Sequence, residues 1–325
     1  MADNHPGVLL PWQSAQWARF QQARAADRMP HALLLAGPRG TGKGQLAEAI
    51  AARLLCEHPD ADRACGSCRG CHLLAAGSHP DFRRIMPEEG GSGILRIEPI
   101  RDLAEFSQRT SQFNAARVAL LSPAEALNRA AANALLKTLE EPPPGMCLIL
   151  VSHETTRLPA TVRSRCQTYR MGLPSRQAAT QWLADEGIEG GDRLLDLAGG
   201  APLFARALAA EEGLARHQAL ADDLCGVLEG HQDPVERAAH WQTTGATELA
   251  RMMQRLTVRI ARAHVTGGAD RPEPAIKRLA GHLPAPALHA LNARLTRLRA
   301  AGEQPLSREL APEALFLLWR NPDDC

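Results

Sequence analysis

Residues 31–36, His-Ala-Leu-Leu-Leu-Ala, form a short apolar run bounded by Pro30 and Gly37, the pattern of a strand buried on both faces. Further strands read at 81–85, 117–121, 147–151 and 167–171. Between them the apolar positions recur three and four apart. Leu46, Ala49, Ile50 and Leu54 mark one helix, and Ile97, Ile100, Ala104 and Ser107 mark the face of a second over 97–112. The stretch 130–141 is a third, stopped by Pro142-Pro143-Pro144. Ahead of the first strand, Leu9, Leu10, Trp12, Trp17, Phe20 and Ala23 fit a helix within 8–29 that packs on the core. This alternation predicts an α/β fold, a mostly parallel sheet with helices on both faces. From residue 172 onward the pattern is wholly helical, first a small group over 172–210. Longer helices over 211–325 are then separated by Gly and Pro at 226–233, 245, 267–268, 272–274, 284–286 and 302–305.

The first strand runs into Gly37-Pro38-Arg39-Gly40-Thr41-Gly42-Lys43-Gly44 and then a helix. A phosphate-binding loop needs this order: Gly37, Gly40 and Gly42 let backbone N–H groups turn inward around an anion, the helix start adds positive potential, and Lys43 reaches the β- and γ-phosphates. The residue after the lysine, Ser or Thr where Mg²⁺ is held, is Gly44. The 117–121 strand would end, in an ATPase, in an acidic pair, one carboxylate for Mg²⁺ and one for the attacking water. It ends in Ser122-Pro123, and Glu125, three residues past Ser122, reaches the loop only through an unusual turn. Two losses in one site predict a loop that does not hydrolyse nucleotide.

Composition narrows the setting. At 325 residues the chain has room for two or three domains, and 45% apolar content suits packed cores. A formal net charge of +1 excludes a broad basic field for nucleic acid or an anionic membrane. With no apolar run near about 18 residues and no basic-then-apolar start at 1–6, a cytoplasmic protein is expected. The eight cysteines then need a role other than disulfides. Cys56 precedes Cys65-Gly66-Ser67-Cys68-Arg69-Gly70-Cys71, two consecutive C-x2-C steps whose polar and glycine residues favour turns. Four thiolates at Cys56, Cys65, Cys68 and Cys71 predict a structural zinc, with no coordination position left for water.

The runs His31-Ala32-Leu33-Leu34, the four-cysteine module, His79-Pro80-Asp81, Asn133-Ala134-Leu135-Leu136-Lys137-Thr138-Leu139-Glu140-Glu141-Pro142-Pro143 and Ser164-Arg165-Cys166 resemble the AAA+ clamp-loader family of bacterial DNA polymerase III. The resemblance covers nearly all of 8–171. The imperfect loop and missing acidic pair resemble the non-hydrolysing branch of that family, not its ATP-hydrolysing gamma/tau subunit. Because Lys43 is retained, binding of ATP or ADP by Gly37, Gly40, Gly42 and Lys43 stays open.

The resemblance implies an AAA+ nucleotide-binding-like domain with a P-loop parallel sheet over 1–171 carrying the zinc module at 56–71, a helical lid over 172–210, and an all-α collar over 211–325 that joins subunits in a ring. It implies that Cys56, Cys65, Cys68 and Cys71 are the zinc ligands and that Arg165 acts in trans, as an arginine finger on the ATP of a neighbouring subunit. The implied partners are gamma/tau and delta subunits in a hetero-pentameric ring, with the sliding clamp and primer-template DNA met through the assembly, and no membrane. Ser152 falls where active relatives sense the γ-phosphate, and Leu203 falls near a sensing arginine, with Arg206 a turn later.

Two functions follow from these residues. One is a subunit that is not an enzyme on its own, a rigid stator of the polymerase III holoenzyme that helps load the clamp. The other is an ATP-hydrolysing gamma/tau-like subunit that recruits Glu125. A zinc module binding nucleic acid directly is disfavoured by the near-zero charge. Arg251, Arg255, Arg259 and Arg262, at steps of four and three, read as a solvated face rather than a contact surface.

Overall fold

The computed structural model describes residues 8–60, 63–88, 93–113, 116–267, 273–301 and 310–320. Most of the glycine-rich stretch at 90–93, and the punctuation at 268, 272 and 302–305, lie outside the described residues. Two compact units result, Met1–Gly187 with Ala201–Phe204, and Ile188–Gly200 with Ala205–Cys325.

In the first unit a 3₁₀ turn at Pro11–Gln13 leads into α1 (Ser14–Ala25), β1 (Ala32–Ala36), α2 (Lys43–Leu55), α3 (Arg69–Ala75), β2 (Phe82–Ile85), α4 (Glu98–Gln108), β3 (Arg117–Leu121), α5 (Arg129–Glu140), β4 (Met146–Ser152), α6 (Ala160–Arg163), β5 (Gln167–Arg170) and α7 (Arg176–Asp185). The sheet order is β2-β3-β4-β1-β5, parallel throughout. Side-chain alternation splits its residues between two cores. Leu33 and Leu35 pack with Trp17, Phe20, Leu46 and Ile50 of α1 and α2. Ala32, Leu34 and Ala36 face Ile100, Leu103 and Phe106 of α4 and Leu135 and Leu139 of α5. Apolar runs without a polar face are what a sheet covered on both sides requires. The edge strand β5 is guarded by α1, whose Gln16 and Arg19 donate to the carbonyls of Arg170 and Thr168, while the Arg19 guanidinium lies 4.3 Å over the Tyr169 ring.

Two elements differ from the sequence reading. The helix expected over 97–112 ends at Gln108 because the Asp81 carboxylate accepts the N–H groups of Gln112 and Phe113 and the Ser111 hydroxyl, drawing that stretch into a turn before β3. Arg117 completes the corner: its guanidinium donates to the carbonyls of Ser107, Arg109 and Pro144. In the cysteine module, where turns were expected, Cys68 caps α3 by accepting the Cys71 N–H on its sulfur, so Cys71 is helical.

Among its described residues the second unit is built of helices: α8 (Gly191–Leu197), α9 (Pro202–Ala210) from Ala205 on, α10 (Gly213–Leu228), α11 (Pro234–His240), α12 (Ala246–Thr266), α13 (Pro274–His282), α14 (Ala285–Ala301) and α15 (Leu310–Arg320). Leu220, Leu224, Leu249, Met253, Leu256, Ile260, Leu279, Leu291, Phe316 and Trp319 form its core. The arginine stripe of α12 is a set of ion pairs within the unit. Arg255 and Arg251 share Glu248, Arg259 meets Glu273 at 2.9 Å, and Arg262 meets Asp196 at 3.2 Å. No helix among the described residues is long and apolar enough to cross a membrane.

Candidate functional site

The glycine-rich loop joins the end of β1 to the start of α2. Gly40 and Gly42 hold φ of 78° and 87°, the left-handed region that glycine adopts at little cost. A Cβ at Gly42 would also collide with Leu10 and Gln13, and one at Gly40 with Phe204. The loop is therefore wrapped from outside. Trp12 Nε1 donates to the Thr41 carbonyl at 3.0 Å, Gln13 Nε2 to the Gly42 carbonyl at 2.7 Å, and the Leu203 N–H to the Gly40 carbonyl at 3.1 Å. From inside, Lys43 Nζ donates to the carbonyls of Gly37, at 2.7 Å, and Pro38. Burial lowers the lysine to about 8, with the Glu125 charge opposing that fall and Arg39 adding to it. Gly44 has open space around its Cβ direction, so packing does not dictate the missing hydroxyl.

Glu125 lies close enough to the loop for its charge to act on Lys43, an approach that the sequence reading made conditional on an unusual turn. The chain after β3 makes a cis Ser122–Pro123 peptide and a 3₁₀ turn at Ala124–Ala126. Glu125 Oε1 then accepts the N–H groups of His153 and Glu154, at 2.9 and 3.2 Å, past the end of β4, which brings its charge to bear on Lys43 and His153. His153 is pushed down to about 4, by burial first and the Lys43 charge second. Glu125 Oε2, Ser152 Oγ and His153 Nδ1 are buried without a hydrogen-bond partner. Lys43 thus feels the Glu125 charge, which opposes its fall, and in turn helps keep His153 neutral. Gly44 lacks the hydroxyl, and Ser122-Pro123 the carboxylates, that hold Mg²⁺ and the attacking water in an ATPase.

The four expected metal-ligating sulfurs converge. Cys56, Cys65, Cys68 and Cys71 place their Sγ atoms within 4.8 Å of one another. Cys56 Sγ lies 3.6 Å from that of Cys65 and 3.9 Å from that of Cys68. Zinc–sulfur bonds of about 2.3 Å in a tetrahedron put sulfurs about 3.8 Å apart, so the set fits zinc in size and in chemistry. Backbone N–H groups already point at three of the sulfurs: Cys65 to Cys56, Cys68 to Cys65 and Cys71 to Cys68. Bonds from Ser67 draw the Cys65 thiol down to about 6, whereas burial pushes Cys56 and Cys71 up. Those two surrender their protons readily only in exchange for a cation. Glu57 anchors the module by accepting the Gly70 N–H at 2.7 Å.

Arg165 bonds to neither cluster. It follows α6, with Nη2 2.7 Å from Glu140 Oε1 and Nη1 donating to the Thr161 carbonyl at 2.9 Å. Sequence reasoning assigned no site role to Trp12, Gln13 or Glu140. Trp12 and Gln13 look like ordinary helix-start residues, and nothing in Glu140-Glu141 distinguishes one glutamate from the next.

Known proteins resemble this chain in sequence. The family model described as “DNA polymerase III, delta subunit” matches residues 12–174. The DNA polymerase III subunit delta' of Pseudomonas aeruginosa is 47% identical over 204 residues, 62% of this chain and 61% of that protein. That of Escherichia coli is 38% identical over 201 residues, 61% of this chain and 60% of that protein. The DNA polymerase III subunit tau of Bacillus subtilis is 36% identical over 159 residues, 49% of this chain and 28% of that protein. The matched part of the chain therefore spans about 60% of the length of the first two relatives.

Proposed function

Since the chain belongs to the DNA polymerase III delta-subunit family, whose model takes in residues 12–174, we propose that it is a delta'-type clamp-loader subunit, silent as an ATPase, that helps place the sliding clamp on primed DNA. It works within a hetero-pentameric ring with gamma/tau and delta subunits, and meets the clamp and primer-template DNA through that assembly in the cytoplasm. The observation that supports silence most is in the sequence around the phosphate loop: Gly44 lacks the hydroxyl, and Ser122-Pro123 the carboxylates, that an ATPase uses to hold Mg²⁺ and the attacking water. With Leu203 against Gly40, the loop serves as a packing element of a rigid subunit, and ATP or ADP at Gly37, Gly40, Gly42 and Lys43 is not needed for the role.

Arg165 is the proposed contribution to chemistry. A guanidinium brought by one subunit to the γ-phosphate held by another stabilises charge in the transition state and makes hydrolysis depend on assembly. Cys56, Cys65, Cys68 and Cys71 would hold a structural zinc, which when bound ties the end of α2 to α3. The division into a domain over 1–171, a lid over 172–210 and a collar over 211–325 belongs to the same proposal, the collar being the oligomerisation element.

The test is the ATPase rate of a reconstituted loader with clamp and primed DNA, carrying this subunit as wild type or Arg165→Ala, beside the subunit alone. Silence alone with a depressed rate for Arg165→Ala in the complex is the expected result. Glu125 beside Lys43 favours a second reading, an ATP-hydrolysing gamma/tau-like subunit. ATP hydrolysis by the isolated chain, abolished by Lys43→Ala and Glu125→Gln, would establish it and remove the first.

A further inference from the structure

Arg165 is held at both ends of its guanidinium by its own chain. Thr161 lies in α6 and Glu140 is the last residue of α5, so the two anchors come from different helices. Those helices are fixed to each other by buried apolar residues, Leu139 of α5 and Val162 of α6. Glu141, one residue on, is exposed, and among the described residues no ion pair joins it to Arg165.

We propose that Glu140 is a positioning residue for Arg165, an inference that rests on the trans role of that arginine. The side chains of the pair are 36% and 49% exposed, so the ion pair contributes little to folding. Its effect lies in orientation. A long arginine side chain loses rotamer freedom when it engages a phosphate, and a guanidinium already fixed in plane loses less. A guanidinium carries five N–H donors. Glu140 and Thr161 each engage one Nη, and the remaining donors are left for an oxyanion. The carboxylate plays the part that a second carboxylate plays behind a catalytic imidazole: it orients the acting group without touching the substrate.

The experiment uses the reconstituted loader with clamp and primed DNA, with this subunit as wild type, Glu140→Gln, Glu140→Asp, Arg165→Ala and the Glu140→Gln/Arg165→Ala double variant. Glu140→Gln is expected to lower the ATPase rate at saturating ATP by roughly tenfold, less than removal of the arginine itself, with KM for ATP little changed. Glu140→Asp recovers part of the rate, and the double variant is no slower than Arg165→Ala. The melting temperature of the Glu140→Gln subunit stays at the wild-type value, which a merely structural role would not allow. A wild-type rate for Glu140→Gln beside a slow Arg165→Ala overturns the positioning role and leaves the trans role standing. A rate above wild type overturns it as well, since Glu140 would then restrain the arginine. A double variant slower than Arg165→Ala shows that Glu140 acts by another route and also overturns it. A wild-type rate for Arg165→Ala removes the trans role and the inference together.

Discussion

The Nζ of Lys43 lies 2.7 Å from the carbonyl oxygen of Gly37, six residues back along the chain. Pro38 takes a second bond from the same ammonium, so the lysine closes the loop on its own backbone. An incoming phosphate has to displace both, in a loop whose outward carbonyls are already engaged by Trp12, Gln13 and Leu203.

Gly44 offers the simplest test of whether the loop's sequence is forced by its structure. It lies in the first turn of α2, and a Cβ there meets nothing within 4 Å. Gly44→Ala is expected to raise stability by about 0.5–1 kcal/mol, by removing freedom from the unfolded chain and helix-breaking flexibility from the fold. Gly44→Ser should be tolerated as well and should not produce ATP hydrolysis, because Ser122-Pro123 still lacks the acidic pair. Chemical denaturation of both variants, with an ATPase assay, checks this; a clear loss of stability in each would mean that the helix start is packed after all.

The Arg117 guanidinium bonds the carbonyls of Ser107, Arg109 and Pro144. The side chain is buried, so its removal strands three acceptors at the end of α4 and in the turn before β4. Arg117→Met is expected to cost about 2–4 kcal/mol, the range for losing charged bonds and leaving buried partners unpaired. Arg117→Lys should recover only part, because an ammonium cannot reproduce the planar fork. Urea midpoints of the two variants decide it, and equal midpoints would show that the fork is dispensable.

Much of this was legible in the sequence because strand and loop signals are local. The run 31–36, Gly40 and Gly42 with positive φ, and the Cys65-x-x-Cys68-x-x-Cys71 steps each carry their geometry within a few residues. What escaped depends on partners far along the chain. The end of α4 is set by Asp81, about thirty residues away, and the fate of Glu125 by the donor N–H groups of residues 153 and 154, which come within its reach only once β3 and β4 pair. Trp12 and Gln13 carry their loop-strapping role in hydrogen bonds spanning 29 residues, for which a helix-start pattern gives no signal.

Acid should destabilise both units through buried histidines. His153 is lowered to about 4, and His217, buried in α10 near Arg255, Arg259 and Arg216, to about 3. Because both folded values lie below the unfolded value of about 6.5, the unfolded chain takes up more protons as pH falls. The stability is therefore complete above pH 6.5 and is lost on descending toward the folded values. For His217 the loss approaches about 1.4 kcal/mol per pH unit in that window. Stability measured at pH 7.5 and pH 5 should differ less in His217→Gln than in wild type; an equal difference would place the acid sensitivity elsewhere.

The cysteine cluster allows capping to be separated from ligation. Cys68 Sγ both lies among the four convergent sulfurs and accepts the Cys71 N–H as the cap of α3. Serine is itself a good helix cap, so Cys68→Ser keeps the local hydrogen bond and removes only the thiolate. The expected outcome is loss of bound zinc and a lower melting temperature, with the far-ultraviolet circular dichroism of the sheet retained, since β1 to β5 are closed by their own apolar cores. A chelator should move wild type toward the variant and leave the variant unchanged. Acidification should release metal in step with proton uptake, because ligation requires Cys56 and Cys71 to stay deprotonated against the burial that raises them. Wild-type protein that carries no zinc after purification with zinc present, or a Cys68→Ser form with equal zinc content, would mean that the four sulfurs converge for packing alone.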